Sequence, residues 1–423
     1  MTNNDALLAA EKTHIDAVCA RAKSASAALA CTSLGDRNGM LTAIADGLLK
    51  RGDDILRANA KDLQAFTKDN ASYRDRLTLT PARIAAIADG VRQLLRLPDP
   101  LGGVLAEWTV PKGLHIKKVA VPLGVIGIIY ESRPNITVDT AVLALKSGNA
   151  VVLRGSKDAI ESNRALVEVM QSALAAAGYD PAVIQLITAT SRESAQYFMT
   201  CKAWVDVLIP RGGATLIRSV VENATIPVIE SGTGNCHVFV EKTANPTYAR
   251  AIAVTAKTSR PSTCNAEETL LLDTGLDPAL ALQIFEELDA AGVEIRGCAA
   301  TRALFPKAKP ATESDYYTEF SDKILAVKFV AGVREAIAHI HKYSTRHSEA
   351  IVTEDAAAAD TFLSEVDAAA VYVNASTRFT DGFEYGFGAE IAISTQKLHA
   401  RGPMGLEALT SYKYRIVGAG QTR

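Results

Sequence analysis

The sequence predicts an α/β protein made of two parallel-sheet domains and a small β arm. Three patterns lead there. Short apolar runs alternate with helix-period stretches from Val125 to Ile229, and the alternation restarts from Thr269 to Val373. Strands that are apolar on both faces and joined by helices belong to parallel sheets covered on both sides. The turn Pro111-Lys112-Gly113 separates two short extended runs, which reads as a hairpin. At roughly 150 residues per domain, 423 residues allow two or three domains.

Residues 5 to about 98 are dense in Ala and Leu with interspersed charge, which predicts helices, with Asp36 as N-cap of one beginning near 37. The hairpin over 107–119 is either an arm toward a neighbouring subunit or an ordinary surface hairpin. Strands of the first sheet are expected at Val125–Ile129, Ala150–Leu153, Ile184–Thr188, Val205–Ile209 and Pro227–Ile229, with helices near 137–147, 159–177, 192–200 and 214–223. The second series places strands at Thr269–Leu272, Val293–Ile295, Ile324–Phe329, Ala350–Val352 and Ala370–Val373, with helices near 278–290 and 333–342.

Composition narrows the function classes. A formal net charge of -2 gives no basic footprint for nucleic acid and no polybasic membrane signal. The longest apolar run, Val119 to Tyr130, is too short to span a bilayer, and the N-terminus lacks the pattern of a signal peptide. The six cysteines (19, 31, 201, 236, 264, 298) form no C-x-x-C pair, which fits a reducing, cytoplasmic setting without a metal finger. His339 and His341, two apart on an expected helix, face different ways and predict no metal site.

Four clusters carry chemistry. Cys264 follows a helical stretch with apolar positions Ala249, Ile252, Ala253 and Ala256, after Pro261 has ended the helix and before the strand run Leu270-Leu271-Leu272. A thiol on a polar loop near Lys257 and Arg260 is favoured as thiolate, although free cysteines commonly just pack. Pro210-Arg211-Gly212-Gly213 joins a strand to a helix start, where backbone N–H groups accept a phosphate; any tight turn uses glycine too. Arg154-Gly155-Ser156-Lys157 lies at a strand's carboxyl end, where nucleotides bind in such sheets, or is a solvated loop. No G-x-G-x-x-G fingerprint is present. In Tyr130-Glu131-Ser132-Arg133-Pro134-Asn135, the Asn135 amide is suited to an oxyanion or to capping the next helix.

Together these strings resemble the aldehyde dehydrogenase superfamily, and within it the gamma-glutamyl phosphate reductase family, over nearly the whole chain. The resemblance rests on Val121–Asn135, on the Cys264 loop, on Val373–Gly382 and on Ser394–Gly405. It implies an aldehyde dehydrogenase-like fold: residues 1–106 and 120–230 as an NADP-binding domain, 231–395 as the catalytic domain, 107–119 and 408–423 as an oligomerisation arm. It implies Cys264 as nucleophile and Asn135 as oxyanion donor. Arg154, Ser156, Lys157, Arg211, Gly212, Gly213 and Glu319 would contact NADP(H), and Arg133, Arg378 and Arg401 would be candidates for the substrate carboxylate. The implied reaction is NADPH-dependent reduction of L-glutamyl 5-phosphate to L-glutamate 5-semialdehyde through a Cys264 thioester, in proline biosynthesis. A homo-oligomer and functional coupling to glutamate 5-kinase are implied as well. Glu230 falls where oxidising aldehyde dehydrogenases carry a water-activating base, but Ser231–His237 departs from their Gly-Gly-Lys pattern. An oxidising enzyme, a CoA-acylating relative and an inactive scaffold are the alternatives.

Overall fold

The computed structural model describes residues 3–67 and 71–423. Two compact units result, one of described residues up to Ser231 with Gly386–Ala392 and Met404–Arg423, the other of Gly232–Tyr385 and Ile393–Pro403.

The first unit opens with helices Asn3–Leu29, Leu34–Lys50, Gly52–Ala65, Ala71–Leu77 and Pro81–Leu94. Ser33, not Asp36, is the N-cap of the second. The Ser33 Oγ accepts the Asp36 N–H at 3.1 Å, and the Asp36 carboxylate accepts the Ser33 N–H at 3.0 Å, a reciprocal capping box. The sequence reading took the acidic end of that box for the cap itself.

A four-stranded parallel sheet follows, in spatial order Ile184–Leu186, Ala150–Arg154, Val125–Tyr130, Val207–Arg211. Every residue of Val125–Tyr130 is buried, as expected of an inner strand covered on both faces. Pro227–Ile229 makes only an isolated parallel bridge, Leu208 to Val228, rather than a strand. Helix Pro134–Lys146 is buried on nearly all sides, and Ile160–Ala176 and Ala214–Asn223 complete the crossovers.

Strands Val104–Thr109, His115–Pro122 and Thr410–Val417 pair antiparallel with the second in the middle. The hairpin turns at Gly113, whose φ of 84° suits glycine. Its outer residues are apolar yet exposed: Leu105, Trp108, Tyr412, Tyr414 and Ile416, with Trp108 and Tyr414 edge to face at 6.1 Å.

The second unit is a seven-stranded parallel sheet in the order Lys309–Pro310, Glu294–Gly297, Ile324–Val330, Glu267–Asp273, Cys236–Val240, Ser348–Val352, Ala370–Val373. The sequence reading missed Cys236–Val240, although it is buried throughout and lies beside the strand that follows Cys264. Its short apolar run stands behind Ser231-Gly232-Thr233-Gly234-Asn235, which reads as loop.

Asp62 anchors the helical region to the first sheet. Its buried carboxylate accepts the Ser162 N–H at 2.8 Å, the Ser162 hydroxyl at 2.5 Å and the Glu161 N–H at 3.2 Å, at the start of Ile160–Ala176. Asp62→Ala should therefore cost about 2–3 kcal/mol, read as a lower denaturant midpoint with unchanged m.

Candidate active site

In the second unit, helix Pro246–Thr258 begins at Asn245, whose side chain accepts the Thr247 and Tyr248 N–H groups. It ends before Pro261, and the chain turns tightly: the Thr263 N–H and hydroxyl both donate to the Arg260 carbonyl, at 3.3 and 2.9 Å, and the Ala266 N–H donates to the Thr263 carbonyl. Cys264 lies half-buried on this turn, immediately before buried strand Glu267–Asp273.

The backbone of Cys264 is fixed from behind. The Cys236 thiol donates to its carbonyl at 3.2 Å, and a β-carbon on Gly234 would overlap that same carbonyl. Burial pushes the Cys236 thiol well up, so it remains a donor and not a competing thiolate. Burial raises the Glu319 carboxyl, while the Gly234 N–H and the charge of Lys257 pull it the other way. The carboxylate assigned from sequence to a cofactor ribose thus lies near the glycine that backs Cys264.

Two corrections concern the nearby cations. Lys257 does not serve the thiol: its buried ammonium pairs with Glu268 at 2.5 Å. Burial lifts the Glu268 carboxyl to about 7 against that ammonium. Glu267 beside it is fully buried with neither carboxyl oxygen hydrogen-bonded, and its carboxyl is pushed well up, first by burial. Arg401, a substrate candidate by sequence, is engaged with Asp367 at 2.8 Å alongside Lys397. Arg378 does reach the Cys264 loop, donating from Nε to the Ser259 hydroxyl at 3.1 Å and from Nη1 to the Asn265 side chain.

Sequence reasoning also passed over Cys298. This half-buried thiol precedes the short helix Ala299–Leu304; burial raises it, but hydrogen bonds from Thr301 and backbone N–H groups outweigh burial and lower it. Thiol labelling therefore has to be mapped to a peptide.

The first unit carries the remaining set. Asn135 is not the cap of helix Pro134–Lys146; Arg133 holds that place, without a side-chain cap. The Asn135 amide donates to Asp139 at 2.9 Å, and burial lifts the Asp139 carboxyl to about 6. The Arg133 guanidinium is held below its ordinary value by burial and then by Arg76 and Arg211. Glu230 is half-buried, following the bridge at Val228.

At the nucleotide-type strand ends, Arg154 is structural in its contacts: Nη2 donates to the carbonyls of Thr190 and Ser191 at 3.1 and 2.8 Å. Ser156 accepts the Asp158 N–H, while Lys157 is exposed. The helix at Ala214 starts on Gly213 without a side-chain cap, and the Arg211 Nε is buried without a hydrogen bond. The Gly213 N–H donates to Glu131 at 3.1 Å, so a carboxylate already lies on this turn. An uncapped helix start, exposed glycines and an exposed lysine fit the phosphates of a dinucleotide. Among the described residues no cluster of three His, Cys, Asp or Glu is arranged for a metal, and no helix is long and apolar enough to cross a membrane.

Residues 5–293 match the aldehyde dehydrogenase family. The chain is 56% identical to the gamma-glutamyl phosphate reductase of Carboxydothermus hydrogenoformans, over 95% of this chain and 98% of that one. The chain belongs to the gamma-glutamyl phosphate reductase family. The relative from Thermobifida fusca is 52% identical over 96% of this chain and 98% of its own. The crystal structure of the Thermotoga maritima reductase superposes with a TM-score of 0.94 at 45% identity, covering 97% and 99% of the two chains. An acetylating aldehyde dehydrogenase from Geobacillus thermoglucosidasius, 16% identical with a TM-score of 0.69 over 99% of each chain, shares the fold. The aldehyde dehydrogenase-like α/β fold expected from sequence is therefore the fold of this chain, and the family implies a nicotinamide cofactor.

Gly234→Ala should displace the Cys264 backbone and lower kcat roughly 100-fold or more, while the far-UV spectrum is kept. Cys236→Ser, which retains a donor, should keep most activity.

Proposed function

We propose that the chain reduces L-glutamyl 5-phosphate to L-glutamate 5-semialdehyde and phosphate with NADPH, by covalent catalysis at Cys264. The observation that carries this reading is a half-buried thiol on a loop whose backbone is fixed from behind by Gly234 and Cys236. The names of relatives at 51–56% identity supply the substrate.

In this mechanism the Cys264 thiolate attacks the acyl carbon and phosphate leaves with the electron pair of the broken C–O bond. The family pattern assigns the developing oxyanion to the Asn135 amide, which Asp139 orients through its hydrogen bond. Bound NADPH supplies the hydride that converts the thioester to aldehyde and frees the thiol. Lys157, Ser156 and the uncapped turn at Gly212-Gly213, with Arg211, are the residues that would hold it, and Glu319 is the family's ribose contact. No activated water is needed, so Glu230 has no hydrolytic role here. Arg378 and Arg133 remain as the arginines for substrate anions; Arg401 is engaged with Asp367.

Run in reverse with glutamate semialdehyde and NADP, the enzyme should form NADPH only when phosphate or arsenate is supplied. Cys264→Ser should lower that rate roughly 10,000-fold or more, and Glu230→Gln should leave it largely intact. Fast phosphate-independent turnover abolished by Glu230→Gln would mark an oxidising enzyme, and a requirement for CoA an acylating one.

Lys157→Ala should raise the KM for NADP roughly tenfold with little effect on NAD. Arg154→Ala should act on stability instead, through its bonds to Thr190 and Ser191.

The exposed apolar side of the three-stranded sheet is proposed as a self-association surface, with Trp108 as anchor. Deleting residues 109–118 should give a monomer by sedimentation; a full-length chain already monomeric at micromolar concentration removes the basis for this proposal.

A further inference from the structure

Arg378 lies in the short turn Thr377–Phe379, which is tied to the nucleophile loop on both sides of Cys264. Besides the bonds from its guanidinium to Ser259 and Asn265, the Asn265 amide donates back to the carbonyls of Arg378 and Thr380, at 3.2 and 3.0 Å. The Thr377 hydroxyl closes the frame on the Asn265 carbonyl at 2.8 Å. Arg260 opens the tight turn that carries Cys264, and its side chain is exposed.

Among the described residues neither arginine forms an ion pair with a carboxylate, whereas Lys257 and Arg401 both do. Burial and the nearby charge of Arg260 hold the Arg378 guanidinium below its ordinary value, while Cys264 and Asp381 act in the opposite sense. Two like charges near one another, neither in a salt bridge, favour an arriving anion.

We infer that Arg260 and Arg378 form the seat of the phosphoryl group and receive the leaving phosphate beside Cys264. The inference rests on the reaction proposed above. As the C–S bond forms and the C–O bond to phosphate breaks, negative charge passes from sulfur to the departing phosphate oxygen. The same two guanidiniums serve both ends of that transfer. Chain length in the substrate favours phosphate over the α-carboxylate here: phosphorus is two bonds from the attacked carbon, the α-carboxyl carbon four. Arginine's planar fork also suits phosphate.

The test varies inorganic phosphate in the reverse reaction. Arg260→Ala and Arg378→Lys should each raise the phosphate KM about tenfold or more, leaving the semialdehyde KM within about twofold. Independently of turnover, phosphate should slow iodoacetamide alkylation of Cys264, mapped by peptide mass, in the native enzyme and much less in either variant. Should Arg378→Lys fail to fold, exposed Arg260→Ala alone decides by both readouts. A raised semialdehyde KM with an unmoved phosphate KM overturns the assignment and places the arginines at the α-carboxylate. Unchanged phosphate protection in the variants also overturns it. A native enzyme with no phosphate dependence at all overturns the reaction itself, and this seat with it.

Discussion

The loop that carries Cys264, the proposed nucleophile, depends on one contact of backbone against backbone, Gly234 on the Cys264 carbonyl. A thiol on a turn has freedom that catalysis cannot use, since attack requires a single presentation of sulfur. Removing one β-carbon lets two chain segments approach within a distance no other residue permits. The approach is reinforced by the Cys236 thiol on the same carbonyl. Rigid strands Cys236–Val240 and Glu267–Asp273 follow directly after each partner, so the loop is held at its roots by the sheet.

Much of this was legible in the sequence, for identifiable reasons. Short continuous apolar runs and period-3.6 stretches place nearly every strand and helix of both sheets, because burial on two faces leaves a strand apolar throughout. Cys236–Val240 escaped because its apolar run is short and begins with a residue also found in loops. The family strings mark Cys264, Asn135 and the arginines as a set, but strings carry no partners. Nothing in the spelling of Arg401 distinguishes it from Arg378; only folding brings Asp367 to one and Ser259 and Asn265 to the other. Likewise Arg154 and Lys157 look equivalent at a strand end, yet one is consumed by two carbonyls and the other is exposed. A Gly-x-Gly stretch directly ahead of a buried strand was the available signal for Gly234.

Cations near the thiol are therefore sorted by burial. Lys257, fully buried, is paired with the Glu268 carboxylate, as a charge in low dielectric requires. Arg260 and Arg378, more accessible, form no ion pair among the described residues and are the pair proposed to meet the substrate's phosphate.

Glu267 sets a limit of another kind. Its fully buried carboxyl is raised from an ordinary 4.5, so the folded chain holds this proton more tightly than the unfolded chain does. The stability it contributes is complete below the unfolded value and drains away as pH climbs toward the folded one. The nucleophile role proposed for Cys264, three residues earlier, calls for the opposite, because alkaline conditions generate thiolate. Base that would favour a thiolate at Cys264 therefore works against the buried strand that follows it.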